Sequence, residues 1–400
     1  MNKPDYGHNN TPVKISRPGR DKFKQCNKQL SFGSLIVSLF VLASATIVEK
    51  IFGTDTAVES IYGAWWFVAL WGILAISASI YIIFTKAHLK ISTFLLHASF
   101  ALILTGALVT FIFAERGQLH LRQGETYESY LSESDLQEHS LPFDIRLVLF
   151  DIEYHSGTSE PADFISFLMV DGEMRKVSLN DIHKYKGYRL YQMSYDSDEM
   201  GSILMITYDP WGITITYIGY LLLALSMLWI LLLKIRWKGV LCTFLSVAVV
   251  WVYISQLNPM TPILRTPMLA AHVSVIMISY ALFLFMMGTS IVALISSTQQ
   301  ERLYRWNSTL LYPALFLLAA GIFIGAVWAN ISWGRYWGWD AKETWALITL
   351  IVYAIPMHKA SIPVFKNRIK FHIYCIAALL TVIMTFLGVS FLLGGIHSYI

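Results

Sequence analysis

Apolar side chains run nearly unbroken through long stretches at both ends of the chain, and alternate with polar ones in a short middle region. Several runs reach the roughly 20 residues that a helix needs to cross a bilayer's hydrocarbon core. Their lengths and charged flanks predict nine spans, at about 31–53, 64–84, 93–114, 211–233, 239–256, 271–296, 310–329, 344–358 and 371–393, the eighth being the shortest. Between the third and fourth the period falls to two. "FDIRLVLFDIEY" (Phe143–Tyr154), "FISFLMV" (Phe164–Val170) and "YRLYQMSY" (Tyr188–Tyr195), separated by glycine and polar residues, predict strands. In the first, Phe143, Ile145, Leu147 and Leu149 share one face while Phe150, Ile152 and Tyr154 continue on the other, so a bulge is expected near Leu149. The expected architecture is a polytopic α-helical membrane protein of about nine transmembrane helices with one small extracytoplasmic β-rich domain. Its parts are a basic segment 1–30, helices over 31–114, the β-rich domain over 115–210, a return helix at 211–233 and a second helical domain over 234–400.

Composition agrees, at 56% hydrophobic and 14% charged residues. No nucleic-acid partner is expected. Basic residues are retained on the cytoplasmic side of short loops. With the N-terminus inside, the inner segments hold eighteen Lys and Arg, whereas the short outer loops hold only Lys50, Arg265, Arg335 and Lys342. The C-terminus is therefore expected outside. No removable signal peptide is evident, and the basic head is expected to lie against anionic lipid. Cys26, Cys242 and Cys375 are scattered, which suggests neither a disulfide framework nor a metal cluster.

Ionisable groups at membrane depth are expensive, so histidines in or beside spans need a reason. His97 and His358 fall on the inner side; His272 opens the sixth span and His397 follows the ninth, both on the outer side. Beside the outer pair lies "WGRYWGWDAKETW", with four tryptophans (Trp333, Trp337, Trp339, Trp345) in thirteen residues. Two histidine pairs and an aromatic platform suit haem. Iron takes axial imidazoles, the porphyrin stacks on indole rings, and propionates seek basic groups. Arg335, Lys342 and Arg265 are available for the propionates, and Asp340 for fixing the loop or polarising an imidazole. Interfacial tryptophans also serve as belt anchors, and a lone histidine is commonly just hydrogen-bonded. His372, beside Lys370, and His88 are read as surface residues, as are His120, His139, His155 and His183 of the β-rich region.

The stretch "WGRYWGWDAKETWALITLIVYAIPMH", with "LAAHVSVIMISYALF" and "FLLGGIHSY", resembles the haem-handling "WWD" membrane proteins, specifically the CcsA/ResC-like half of the System II cytochrome c synthases. "HASFALILTGALVTF", "GQLHLRQGE", "LPFDIRLVLFDIEY", "FISFLMV" and "YKGYRLYQMSYD" resemble the ResB/CcsB-like component, so the chain resembles a natural fusion of both over roughly residues 60–400. The resemblance implies that His272 and His397 ligate haem at the outer site, that the loop from Trp333 to Trp345 holds its face, and that His97 and His358 form a within-membrane pair. It implies haem b as both ligand and transported substrate, apocytochrome c as partner, a thiol-reducing thioredoxin-like protein beside it, and a bacterial cytoplasmic membrane location. The implied activity is attachment of haem vinyl groups to a Cys-x-x-Cys-His motif, which this chain lacks. The chain departs from the family in its compactness, with five spans after the return span where six are usual. An electron-transferring bis-histidine cytochrome b and an assembly factor that binds no haem are the alternative readings.

Overall fold

The computed structural model describes residues 18–157, 159, 161–179, 181–235, 237–256 and 266–393. Eight of its helices are long and apolar enough to cross a membrane. In chain order the helices are α1 (Pro18–Phe52), a short α2 (Thr54–Ala57), α3 (Trp65–Phe84), α4 (Ile91–Phe113), α5 (Gly212–Lys234), α6 (Trp237–Ser255), α7 (Pro267–Ile295), α8 (Gln300–Trp333), α9 (Ala341–Ala354) and α10 (Arg368–Ile383), which continues as a π-helical stretch to Leu393. The segment expected to be the eighth span is α9, only 14 residues, prolonged by a 3-10 turn over Ile355–His358. Pro356 causes the change, since it has no N–H for the α-helical ladder.

Helix α8 is the centre of the bundle, with 61% of its most apolar window buried against 6–33% for the other spans. Small residues permit this. Ala314, Ala319, Gly321 and Ala326 lie buried along it, and a Cβ on Gly321 would stand 2.5 Å from the Ile276 side chain of α7. Lipid supplies no hydrophobic drive between helices, so close backbone approach of this kind holds them together. Outward side chains such as Phe40, Leu221, Val249 and Leu380 are 62–70% exposed, a surface suited to hydrocarbon and costly in water.

The β-rich region is one antiparallel sheet of eight strands: β1 (Glu115–Arg122), β2 (Thr126–Ser132), β3 (Glu138–Tyr154), β4 (Pro161–Val170), β5 (Glu173–Ser178), β6 (His183–Tyr185), β7 (Tyr188–Tyr195) and β8 (Gly201–Tyr208). Their order is β5-β4-β3-β2-β1-β8-β7-β6. The adjacent interior strands β1 and β8 pair from Glu115↔Tyr208 to Arg122↔Gly201, and lead directly from α4 and into α5. Those two helices pack through Gly106, Gly212 and Gly219, where a Cβ would meet Thr216, Thr110 and Ile103. The sheet therefore stands on a glycine-lined helix pair. It also curls over, because Ser166 of β4 hydrogen-bonds Gln192 of β7 and Ser202 of β8 across non-adjacent strands.

In β3 the register shifts between Leu147 and Leu149, as the switch of apolar faces requires. Phe143, Ile145 and Leu147 are buried, and Phe150 is buried after the shift. Leu149 departs from expectation, being 45% exposed, because the bulge precedes it and turns it outward.

Candidate functional site

His97 of α4 and His358 at the end of the α9 extension come from distant parts of the chain and meet, with ring centroids 6.0 Å apart and planes at 82°. Each is oriented by its own helix. His97 Nδ1 lies 2.8 Å from the Thr93 carbonyl and His358 Nδ1 3.1 Å from the Ala354 carbonyl. A carbonyl only accepts, so Nδ1 carries the proton in each ring and Nε2 is the nitrogen with the lone pair. This is the tautomer that an Nε2-ligating histidine needs. Phe32 of α1 stands edge-on to His358 at 5.8 Å, and Tyr81 of α3 is edge-on to Phe32 at 6.4 Å and donates to Ser361 Oγ at 3.0 Å.

At the opposite end of the bundle, His272 follows the same rule, with Nδ1 2.7 Å from the Gly321 carbonyl of α8. A Cβ on Gly325 would stand 2.7 Å from His272 Cε1, so this glycine makes room for the ring. Gly321 and Gly325 were not among the expected site residues, although their G-x-x-x-G spacing is visible in the sequence and marks a close helix approach. His397, expected to oppose His272, lies outside the described residues, as does Arg265.

Between α8 and α9 the chain turns at Gly334 (φ +67) and Trp339 (φ +58), two left-handed residues that reverse it tightly. Asp340 caps α9 by accepting from the N–H groups of Lys342 (2.7 Å) and Glu343 (2.9 Å), and Glu343 Oε2 accepts from Gly338 N at 2.7 Å. The cap and the return bond fix the loop against the head of the helix. Lys342 Nζ reaches Ser390 Oγ at 3.3 Å, and Arg335 folds back over Gly338, whose Cβ would stand 3.3 Å from its guanidinium carbon.

The four tryptophans take different directions. Trp339 stacks on Tyr62 (5.0 Å, 10°) and stands edge-on to Phe67, while the Trp345 indole N–H donates to Thr46 Oγ1 of α1 at 3.2 Å. Trp337 is edge-on to Trp339 at 5.6 Å and packs beside Tyr336 and Phe323; its indole N–H is buried without an acceptor among the described residues. Trp333 lies 5.3 Å from Trp328. Two of the four thus join the loop to α1 and α3. Tyr62, Phe67 and Thr46 carry no motif that would reveal this role.

The loop is also joined to the sheet. Tyr336 donates to Thr110 Oγ1 (3.0 Å), and Thr110 to the buried carboxylate of Asp209 (2.6 Å). Arg189 of β7 donates to Asn330 Oδ1 (3.0 Å), whose Nδ2 donates to Tyr217 (2.7 Å), and Gly334 has the Tyr191 ring where a Cβ would be. Burial pushes the Arg189 guanidinium below its ordinary range, which Tyr217 and Asp209 partly offset.

The remaining histidines differ. His120 and His139 turn Nε2 to Asp196 and Asp135, each at 2.9 Å, on the surface of the sheet. His372 is not at the surface as expected: it is 0% exposed, with Nδ1 3.1 Å from Ser290 Oγ, because α10 turns it inward while Lys370 stays outside.

Two families match this chain, one after the other. Residues 87–231 match the ResB-like family, and residues 207–397 match the family described as cytochrome C assembly protein. Protein NrfI of Wolinella succinogenes is 34% identical over 162 residues, 37% of this chain and 18% of that protein. The cytochrome c biogenesis protein CcsA of Chlamydomonas reinhardtii is 36% identical over 155 residues, 36% of this chain and 44% of its own length. CcsA of Synechococcus sp. (strain CC9605) is 32% identical over 177 residues, 35% of this chain and 58% of its own length. The matched stretches cover less than two thirds of each relative.

Proposed function

Since this chain belongs to the System II cytochrome c biogenesis family, with ResB-like and CcsA-like parts fused in one polypeptide, we propose that it moves haem b across the membrane and attaches it to the Cys-x-x-Cys-His motif of an apocytochrome c. The observation that carries this reading is the meeting of His97 and His358, two rings from separate helices, each with Nδ1 tied to a carbonyl and Nε2 left as the basic nitrogen. Haem is the substrate here. It enters at the end of the bundle that bears the basic N-terminal segment, which the charge bias assigns to the cytoplasm. It is held by His97 and His358, and is passed to an outer site formed by His272 and His397.

At the outer site the loop from Trp333 to Trp345 would line the porphyrin. The Trp337 N–H, without an acceptor among the described residues, supports this, because a buried donor without an acceptor costs about 1–3 kcal/mol and a ligand oxygen removes that cost. Arg335 and Lys342 of the same loop would pair with the propionates, and Asp340 holds the loop through the α9 cap. Attachment adds each acceptor thiol across a vinyl double bond: a carbon–sulfur bond forms, the thiol proton ends on the adjacent carbon, and no electron donor is consumed. The protein's contribution is position, for which holding the reacting groups in contact supplies about 7–11 kcal/mol. A thiol-reducing thioredoxin-like partner would keep the acceptor cysteines reduced.

The test is coexpression of the full chain with a Cys-x-x-Cys-His reporter. His97→Ala with His358→Ala, and separately His272→Ala with His397→Ala, should each abolish holo-reporter, and each should remove a bis-imidazole component from the protein's visible spectrum. A full haem spectrum with no reporter maturation would favour the cytochrome b reading, and no haem spectrum at all would favour the assembly factor.

A further inference from the structure

Beside the inner histidine pair the bundle carries a cleft of about 330 Å3, lined by Asp21, Lys24, Gln25 and Lys28 of α1, Tyr81 of α3 and Ser361. Two of its lining residues connect it to the pair. Ser361 lies three residues beyond His358, and Tyr81, which bonds it, also stands edge-on to Phe32. Along α1, Lys24, Lys28 and Phe32 follow one another at four-residue intervals and therefore share a face, and Phe32 is the ring that contacts His358. Lys24 and Lys28 are half-buried on that face, whereas neighbouring Lys22 is exposed. Two ammonium groups and two hydroxyls so grouped outnumber the one carboxylate, Asp21, and make the cleft a site for anionic oxygen.

We propose that this cleft receives the two carboxylates of an iron porphyrin as it enters, with Lys24 and Lys28 pairing with the propionates and Ser361, whose oxygen accepts from Tyr81, donating its own hydroxyl proton to one of them. The porphyrin is thereby presented edge-first, its metal toward His97 and His358. The proposal rests on the reading of that pair as a haem site. A ligand with both carboxylates blocked keeps the iron and the ring but loses what the cleft recognises, so the two ideas separate experimentally.

Full-length protein carrying His272→Ala and His397→Ala, so that the inner pair alone is read, is titrated with ferric haem and with its dimethyl ester, and binding is followed by the bis-imidazole absorbance. The free acid is expected to bind at least about tenfold more tightly, two charge-assisted hydrogen bonds being enough for that margin. Lys24→Gln with Lys28→Gln should bring the acid down to the ester's affinity and leave the ester unchanged, and Lys24→Arg with Lys28→Arg should restore the preference. Equal binding of acid and ester by the unmodified cleft, or a preference that survives the glutamine pair, overturns the proposal while the haem reading stands. A band that persists when His97 and His358 are also replaced, or no band at all, overturns both.

Discussion

His97, His272 and His358 each donate an Nδ1–H hydrogen bond to a backbone carbonyl, the bond that fixes the tautomer with its lone pair on Nε2. His120 and His139 instead point Nε2 at carboxylates. Single residues set this geometry. Gly325→Ala would bring a methyl group to 2.7 Å from the His272 ring and force it off the Gly321 carbonyl. Holo-reporter yield should then fall at least about tenfold, since displacements near 1 Å cost rate on that order or more, while the spectrum of the inner haem is unchanged. Asp340→Ala removes the acceptor for two N–H groups at the head of α9. The expected loss is about 1 kcal/mol of stability, accompanied by a weaker near-ultraviolet dichroism from the released Trp337 and Trp339; an unchanged signal would mean that the cap does not hold the loop.

Among elements, the sheet depends on charge at the turn between β7 and β8. Arg122 bonds both Asp196 and Asp198. The Arg122 guanidinium, helped by the Met200 N–H, holds Asp198 down at about 2, and His120 and then Arg122 lower Asp196. A depressed carboxylate stabilises the fold above its unfolded value, near 3.8, and the contribution is lost as pH falls through the folded one. Thermal unfolding of the sheet should therefore shift to lower temperature between about pH 4 and pH 2, by a small amount because the groups are exposed, and Asp198→Asn should flatten that dependence. The strands themselves were readable from alternation, and Tyr188–Tyr195 forms as expected. β1, β2, β5 and β8 carried weaker alternation, and pairing rather than their own pattern makes them strands.

For the whole molecule, the chief question is how a sheet outside the membrane is coupled to the loop that it overlies. Arg189, Asn330 and Tyr217 form one such tie, and Tyr336, Thr110 and Asp209 another. Asn330→Ala leaves a partly buried guanidinium without its acceptor, which costs about 1–3 kcal/mol. Proteolysis within residues 115–210 of the purified protein should accelerate several-fold, whereas Tyr217→Phe, which keeps the Arg189–Asn330 bond, should change it little. Equal rates for both variants would show that the tie does not hold the sheet.

Eight of the nine expected spans and the strands over Phe143–Tyr154, Phe164–Val170 and Tyr188–Tyr195 followed from the sequence alone, because run length and alternation are local properties, and counting basic flanks gave each span its expected direction. That His97 and His358 belong to one end followed from the same counting. Whether they touch did not, since a helix may present any face at a given depth and only packing against α1 and α3 sets its rotation; His372, turned inward on α10, is the case that counting misread. Likewise the tryptophans announced an aromatic loop, but it took tertiary structure to divide them between Tyr62, Thr46 and Phe323, because stacking partners are chosen by the helices that arrive beside the loop, not by the spacing of the indoles within it.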